Sequence, residues 1–417
     1  MTLPVLVGYA VVVVAGWALR ALNLRHLATR GDSVPPELDG AIDTETLRRT
    51  SAYTLETSRL DLLRSVLQSV LMAFFLFAGW MGAYDGWVAA RSGSFVGGGL
   101  VFFLLLFLAE GALEVPFSLY RNFRIESRYG FNTMTARLWA SDLVKSTAIS
   151  ALVAVVAVAS ALWLVEHSPQ WWWLWVWAFF LVLSLFLMYV SPYVIEPLFI
   201  KLRPLQVQGL EEEIRTLATR AGLEVRKVLQ VDASRRSRHS NAYFTGFGKV
   251  KRIVLFDTLL AQMTPAEILA VLAHEAGHWK MRHVMKKIVL TEVLALAALF
   301  VAHRLVYWGG LPSLVGLAHA SFYARAVIVA FLATLVSAPL TPLASFLSRR
   351  DEWAADRFAR HLTGGGEDLA RALVKLARDN LSNLHPHPLY AWAHYSHPPV
   401  VERIRALGRP ERETGAS

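Results

Sequence analysis

Uninterrupted apolar runs of about twenty residues recur along the chain and set its predicted architecture. The hydrocarbon core of a bilayer is about 30 Å thick, and a helix needs roughly 20 apolar residues to cross it. Runs of this length predict seven membrane spans, and several are edged by tryptophan, as helices often are at a membrane interface. The predicted spans lie near residues 4–22, 66–84, 97–116, 146–165, 171–191, 286–307 and 323–346.

Two polar stretches interrupt this pattern, at about 197–285 and 348–417. Their charged side chains are poorly accommodated in lipid, so both stretches are predicted to lie in water beside the membrane. The chain is therefore predicted to have four parts. They are residues 1–196 with spans one to five, residues 197–285, residues 286–347 with spans six and seven, and residues 348–417.

The first polar stretch changes its periodicity several times, which predicts a mixture of helices and strands. Glycine in a short connection between two apolar, alternating runs favours a tight turn. The predicted elements are a helix at about 208–221, a strand from Lys227 to Asp232, and two hairpin strands, Asn241 to Phe247 and Arg252 to Phe256, around Gly248-Lys249.

A second helix is predicted to begin directly after this hairpin. Thr264 is a good N-cap residue, Pro265 suits the first helical position, and Glu267 is correctly spaced for a capping box. These three signals together fix the start of the helix more firmly than periodicity alone.

Composition and charge support a membrane protein and suggest its orientation. Hydrophobic residues make up 55% of the chain and charged residues 18%, against about 45–50% and about 25% in soluble domains. The formal net charge is +10, but no nucleic-acid-binding module accompanies it. Lys and Arg are concentrated in alternate connections, seven of them in 20–65 and five in 120–145. By the positive-inside rule, the N-terminus is outside, and the C-terminus and both polar stretches are cytoplasmic.

The second predicted helix contains the sequence His274-Glu275-Ala276-Gly277-His278, the HExxH pattern. Histidines four residues apart share one helix face, so both imidazoles can bind one Zn²⁺, and Glu275 lies beside them as a general base. Gly277 costs about 1 kcal/mol inside a helix, which favours close packing there. The alternative is a pair of histidines on the polar face of an interfacial helix.

A third ligand must come from elsewhere, because a catalytic zinc site uses three protein ligands and leaves one position open. The chain has no cysteine, so the ligand is predicted to be His, Asp or Glu. Glu352 and Asp356 share a face of a predicted helix that ends at Gly364-Gly365-Gly366. Glu352 could complete the site, and Asp356 could orient a ligating histidine. Ordinary surface carboxylates are the equal alternative.

These motifs resemble those of the type I CAAX prenyl proteases, seven-span zinc endopeptidases related to bacterial heat-shock membrane proteases. The resemblance covers most of the C-terminal half and implies a polytopic, mainly α-helical membrane bundle of seven spans with a cytosolic, zincin-like α+β portion. The matching stretches are Glu196 to Phe199 with Pro204-Leu205, Asp232 to Leu260, HEAGHWK from His274, EWAADRFA from Glu352, and HYSHPPVVERI from His394.

The resemblance implies a role for each residue that matches the family's motifs. His274, His278 and Glu352 would bind one zinc ion, Glu275 would act as general base, and Asp356 would hold a ligating histidine. Asn241, Ala242 and Tyr243 would lie on an edge strand that pairs with substrate. His397 would stabilise the oxyanion, with stacking in the Pro398-Pro399 turn as its alternative.

The expected function is peptide hydrolysis at the cytoplasmic membrane face, on peptide or protein substrates that the resemblance implies are prenylated. One alternative is a membrane-protein quality-control metalloprotease without lipid preference, and a remote one is a seven-helix transporter or receptor. Placing the charged side chains of Glu110 and Glu114 in lipid costs free energy. They are therefore expected to pair with Arg121 or Arg124, or to line a hydrated cavity. Oligomeric state is left open.

Overall fold

The N-terminal half of the chain is almost entirely helical. The computed structural model describes residues 2–245 and 250–408. Helix boundaries follow turn and capping signals; for example, the Asp43 side chain accepts a hydrogen bond from the Thr46 backbone N–H, 2.6 Å away. The helices are α1 (Thr2–Arg30), α2 (Thr44–Phe77), α3 (Trp80–Ala89), α4 (Phe95–Tyr120), α5 (Ala136–His167) and α6 (Trp172–Val194). A π-helical turn, Arg121–Glu126, follows α4.

The first polar stretch folds into a small sheet flanked by helices. The predicted strand at Lys227 to Asp232 falls within β2, and the two predicted hairpin strands pair antiparallel as β3 and β4. The predicted turn at Gly248-Lys249 lies outside the described residues. The elements are β1 (Leu202–Pro204), α7 (Leu210–Arg220), β2 (Glu224–Val231), β3 (Ala242–Thr245), β4 (Val250–Phe256), α8 (Asp257–Gln262) and α9 (Pro265–Lys280).

The sheet has the order β1-β2-β4-β3, which leaves β3 at one edge among the described strands. β2 and β4 run parallel, and the two outer pairs are antiparallel. Buried side chains from β4, such as Ile253 and Leu255, pack with Ile214 of α7 and with the apolar face of α9 in one core. β3 is therefore held on one side by β4, and on its other side no strand of the described residues pairs with it.

Helix α9 begins as its sequence predicts. The Thr264 side chain accepts a hydrogen bond from the Glu267 backbone N–H, and the Thr264 backbone N–H donates to Glu267 Oε2 over 2.8 Å. Lys375 Nζ lies 2.7 Å from the same carboxylate oxygen. The buried end of α9 is thus capped by its own residues and tied by charge to the C-terminal segment.

The second apolar part of the chain follows α9 and contains three long helices. It consists of α10 (His283–Val306), α11 (Phe322–Ser337) and α12 (Thr341–Thr363). Helix α12 ends at Gly364, which has φ of +81° and therefore adopts a conformation that favours glycine. This is the helix end that the glycine run predicts. The remaining helices are α13 (Glu367–Asp379), α14 (Pro388–His394) and α15 (Val400–Leu407).

Among the described residues, six helical segments are long and apolar enough to cross a membrane. Little of their surface is buried in protein; Leu3 and Val11 of α1 are 70% and 62% exposed, which suits contact with lipid. The segments are Thr2–Arg30, Thr44–Phe77, Phe95–Glu126, Ala136–His167, Trp172–Leu198 and Phe322–Thr363. The predicted sixth span, 286–307, corresponds to α10, which is not among these six, so the count of seven is not confirmed.

Polar residues inside the helical half pair with one another and line a cavity. Glu114 pairs with Arg64, whose Nε lies 2.8 Å from Glu114 Oε1, rather than with Arg121 or Arg124 as expected. Arg121 instead pairs with Asp61 of α2. A cavity of about 400 Å³ is lined by these four charged side chains among others. The Glu110 side chain is exposed.

Candidate active site

The candidate site is built first on α9, which carries His274, Glu275 and His278. Helix α12 packs directly against α9, and Gly277 lies at this contact. A Cβ atom at Gly277 would lie 3.1 Å from the backbone Cα of Ala355 and 3.2 Å from the Phe358 side chain. The close packing that the glycine predicts is therefore present. It brings the turn of α12 that precedes Ala355 next to the two histidines.

Glu352 of α12 meets both histidines. Its Oε2 lies 3.3 Å from His274 Nε2, and its Oε1 lies 3.3 Å from His278 Nε2. The two Nε2 atoms are 3.2 Å apart, and one ligand atom from each of the three residues falls within 4.8 Å of the others. The structure thus brings together three side chains that are separated by two apolar helices in the sequence.

The chemistry of this group fits a metal ion. Glu352 is buried, and its Oε2 atom has no hydrogen-bond partner, an arrangement that costs free energy unless a cation satisfies the oxygen. Two imidazole nitrogens and one carboxylate oxygen are a ligand set that zinc uses in catalytic sites, with an open position left for water or substrate. The three residues therefore fit the metal that the sequence motif predicts.

Asp356, one turn after Glu352, holds the far side of His274. Its Oδ1 lies 2.8 Å from His274 Nδ1. Arg403 of α15 binds Asp356 through both carboxylate oxygens, with Nε donating over 2.8 Å and Nη2 over 2.6 Å. Burial lowers the pKa of His274, but the Asp356 and Glu352 carboxylates beside its ring outweigh burial and raise this pKa to about 9.

His278 is oriented through another histidine. His283 Nδ1 lies 3.0 Å from His278 Nδ1, and His283 Nε2 lies 3.5 Å from Asp351 Oδ1. The HExxH spacing predicts no place in the site for His283, which would be expected in water or beside lipid headgroups, yet it is only 4% exposed. The reason is Arg282, whose φ of +56° ends α9 and turns the chain back, so helical spacing from His278 does not locate His283.

Glu275 lies beside the metal ligands and in the wall of an adjacent cavity of about 480 Å³. Burial raises the pKa of the Glu275 carboxyl, against the opposing effect of the two neighbouring imidazoles. A raised pKa brings a carboxylate closer to the range in which it can both accept and return a proton.

The same cavity reaches the edge strand. Asn241 and Ala242 line it together with His274 and Glu275, and apolar side chains such as Leu373 complete the wall. Tyr243, the next residue, is hydrogen-bonded through its hydroxyl to Glu196. Tyr243 follows Ala242 in β3 and so points to the opposite face of the strand, which leaves Asn241 and Ala242 as the two predicted substrate-binding residues that line the cavity.

His397 lies in the loop before α15, at the opening of the site. Its Nε2 is 3.3 Å from Glu352 Oε1, and its Nδ1 is 2.9 Å from the Ser396 hydroxyl. The side chain is 61% exposed and lines the same cavity as Glu275. The structure therefore places this predicted residue beside the metal group and in the cavity wall.

Comparison with known proteins places this site in a family context. A family model described as "CAAX prenyl protease N-terminal, five membrane helices" matches residues 23–201. A second, described as "Peptidase family M48", matches residues 204–411 and includes every predicted site residue.

Several curated proteins are similar over nearly the whole chain. The CAAX prenyl protease 1 homolog of Arabidopsis thaliana is 36% identical, covering 94% of this chain and 95% of its own. The Homo sapiens homolog is 33% identical, covering 93% and 91%, and the Saccharomyces cerevisiae CAAX prenyl protease 1 is 32% identical, covering 90% and 88%.

A solved structure shares the fold as well. The crystal structure of S. mikatae Ste24p superposes with a TM-score of 0.87 at 29% sequence identity. The match covers 97% of this chain and 99% of that chain. The similarity therefore extends through the membrane helices and the polar segments together.

Proposed function

The chain belongs to the CAAX prenyl protease 1 group of peptidase family M48, and on that premise we propose that it is a zinc endopeptidase acting at the cytoplasmic face of the membrane. It is a multi-pass integral membrane protein and a metallopeptidase. The observation that carries the proposal is the convergence of His274, His278 and Glu352 around a buried oxygen that lacks a hydrogen-bond partner.

Each side chain of the site has one proposed role. His274, His278 and Glu352 would hold the zinc ion, one per chain, which would supply Lewis acidity that makes water more acidic and polarises the scissile carbonyl. Glu275 takes a proton from the attacking water on its carboxylate and delivers it to the leaving amine nitrogen. Its half-buried position favours this exchange because burial raises its pKa.

The outer residues keep these groups in place. Asp356 fixes the ring of His274, and Arg403 fixes Asp356 with two hydrogen bonds. His283 and Asp351 do the same for His278. His397 Nε2, now beside Glu352, would turn to donate to the carbonyl oxygen as negative charge develops there, and the exposure of its side chain gives it room to do so.

The substrate is proposed to bind as an added strand along β3. The backbone of Asn241, Ala242 and Tyr243 supplies hydrogen bonds at the free edge, and the cavity beside it receives side chains. Backbone pairing is tolerant of sequence, so specificity comes from the cavity and from access.

The catalytic unit is proposed to combine residues 197–285 and 348–417, which residues 286–347 separate in the chain. The packing of α9 on α12 supports this division. The N-terminus is proposed to be outside and the C-terminus cytoplasmic, from the distribution of Lys and Arg. Accessibility of a tag at either end in sealed vesicles tests the orientation.

The substrate class is proposed to be prenylated C-terminal peptides, which the names of the relatives support. The alternative is a quality-control protease without lipid preference. A farnesylated peptide and its unmodified twin distinguish the two in a cleavage assay, with Glu275→Gln as the inactive control. Higher kcat/KM for the farnesylated peptide supports the proposal. Equal kcat/KM for the two peptides favours quality control. If the wild-type protein cleaves neither peptide, even after zinc is added, peptide hydrolysis is contradicted.

A further inference from the structure

A histidine outside the metal group joins the membrane half to the substrate strand. His239 lies two residues before Asn241. Its Nε2 is 3.2 Å from Glu126 Oε2, in the π-helical turn after α4, and its Nδ1 is 3.1 Å from Asn380 Oδ1, at the end of α13. The His239 ring also stacks on Phe131, with centroids 4.0 Å apart. Three distant parts of the chain therefore meet at one imidazole.

The orientation of the Asn380 amide is fixed by the backbone next to His239. The Ser240 N–H donates to Asn380 Oδ1 over 3.1 Å, and Asn380 Nδ2 donates to the Ser240 carbonyl oxygen over 3.4 Å. A backbone N–H can only donate and a carbonyl can only accept, so the amide cannot be flipped without losing both bonds. The atom that faces His239 Nδ1 is therefore an oxygen.

Both partners of the His239 ring are consequently acceptors. Glu126 Oε2 belongs to a carboxylate whose other oxygen already accepts the Tyr53 hydroxyl proton over 2.7 Å. A neutral imidazole has only one N–H and could satisfy one of the two partners. The geometry requires an N–H on each ring nitrogen, which makes His239 an imidazolium.

The electrostatic surroundings agree with this assignment. Burial lowers the pKa of His239, but hydrogen bonds to Glu126 and Asn380 outweigh burial and raise the pKa above its ordinary value of 6.5. Glu126 is the charged group that faces the ring, with Tyr53 and Arg121 facing Glu126 from behind. The other elements contribute neutral groups, namely Asn380, the Phe131 ring and the Thr258 hydroxyl, which donates to the His239 carbonyl.

The contact lies on the segment that leads into β3. Residues before His239 are tied to the α4–α5 connection, since the Arg238 N–H donates to the Phe131 carbonyl, and to α5, since Arg236 binds Asp142 with two hydrogen bonds. Beyond His239, the chain enters the cavity wall at Asn241, and Asn380 lines that same cavity. His239 and Asn380 therefore tie the chain just before Asn241 to the π-helical turn and to the end of α13.

We propose that the His239 imidazolium clamps the start of the substrate strand between Glu126 and Asn380, and so acts as a positioning residue for substrate binding. This inference rests on the proposed role of the β3 edge. Loss of the clamp lets Asn241 shift relative to Glu275, and misplacement of about 1 Å can cost a large factor in rate or affinity. The metal ligands keep their own contacts, so the effect falls on KM rather than on metal content.

The test measures KM, kcat and zinc content for wild type, His239→Ala and the matched control His361→Ala, an exposed histidine at the end of α12. We expect KM to rise about tenfold in His239→Ala, with kcat within about threefold and zinc content unchanged, and no change in the control. An unchanged KM in folded His239→Ala protein overturns the clamp. Loss of zinc in this variant overturns it also, because the residue would then support the metal site instead.

A pH profile of the wild type keeps the proposal testable should the variant fail to fold. The imidazolium persists below the raised pKa of His239, so KM is lowest there and rises as pH increases through that value. A KM that stays flat on the alkaline side overturns the proposal. The proposed function fails separately, through full cleavage by Glu275→Gln, so the two failures are distinguishable.

Discussion

At the scale of the residue, Glu275 and Glu352 are both carboxylates beside the same two histidines, but only Glu352 points an oxygen at each of them. The first prediction separates their roles. Replacing Glu275 with Gln removes a base while leaving the ligands intact, so cleavage should fall by a factor of about 10² to 10⁴ with zinc content unchanged. Metal analysis and peptide cleavage on one preparation check this, with the exposed Glu212→Gln as control. Retained turnover would contradict the mechanism.

His283 carries the second prediction. Replacing it with Ala removes the partner of His278 Nδ1, and loss of such an outer contact costs about 10- to 100-fold in metal affinity. Competition with a zinc chelator measures the affinity directly and independently of activity. His361→Ala, on the surface, should bind zinc as the wild type does. Equal affinity in both variants would show that His278 needs no support from α10.

The sequence predicts the residues of this site unequally, for a physical reason. His274, Glu275 and His278 share one helix, so their spacing alone indicates their geometry. Glu352 and Asp356 are predicted by their i, i+4 spacing and by resemblance to a family. Arg403 lies in the matching stretch HYSHPPVVERI but has no spacing that gives it a role, and His283 has neither signal, because their positions depend on how α15 packs and on the left-handed turn at Arg282.

At the scale of the element, the site depends on the contact between α9 and α12, and Gly277 allows it. The third prediction concerns Gly277→Val. The added side chain meets the backbone of Ala355, which cannot rotate away, so the substitution should cost about 1–3 kcal/mol and weaken zinc retention. A thermal melt with zinc analysis checks both effects. Gly111→Val is the matched control, since a Cβ at Gly111 meets nothing within 4 Å. Equal melting temperatures and equal zinc contents in the two variants would contradict the role of close packing.

Element boundaries are predicted well where a local signal exists. The capping box fixes the first turn of α9, and the glycine run fixes the end of α12. The sheet order is different, because β2 pairs with β4 rather than with its neighbour in sequence. No local pattern specifies that pairing, which forms through the shared core of β4, α7 and α9.

At the scale of the whole molecule, His239 links the membrane helices to both polar segments, which gives the fourth prediction. Its pKa is raised on folding, so the stabilisation is present in full below pH 6.5 and is lost as pH rises through the folded-state pKa. The Tm in detergent should therefore fall over this alkaline range, and fall less in His239→Gln. Identical pH dependence in the two proteins would contradict the link.

The assembly of two polar segments into one site is the feature that the charge distribution anticipates best. Placing both segments on one side of the membrane permits them to meet, but which helices touch depends on packing that no span-by-span pattern contains. The number of membrane spans is likewise not fixed by sequence patterns alone. Length and hydropathy identify six segments in the described part of the chain, while α10 starts at the site itself, with His283, and stays outside this set.

The central claim is that two imidazoles and Glu352 hold one zinc ion that is needed for peptide cleavage. The most direct measurement is the zinc content of wild type and Glu352→Ala after parallel dialysis against a weak chelator, with Glu212→Ala as control. We predict about one zinc per chain in the wild type and the control, and much less in Glu352→Ala. Equal zinc in all three proteins, or none in the wild type, would contradict the claim.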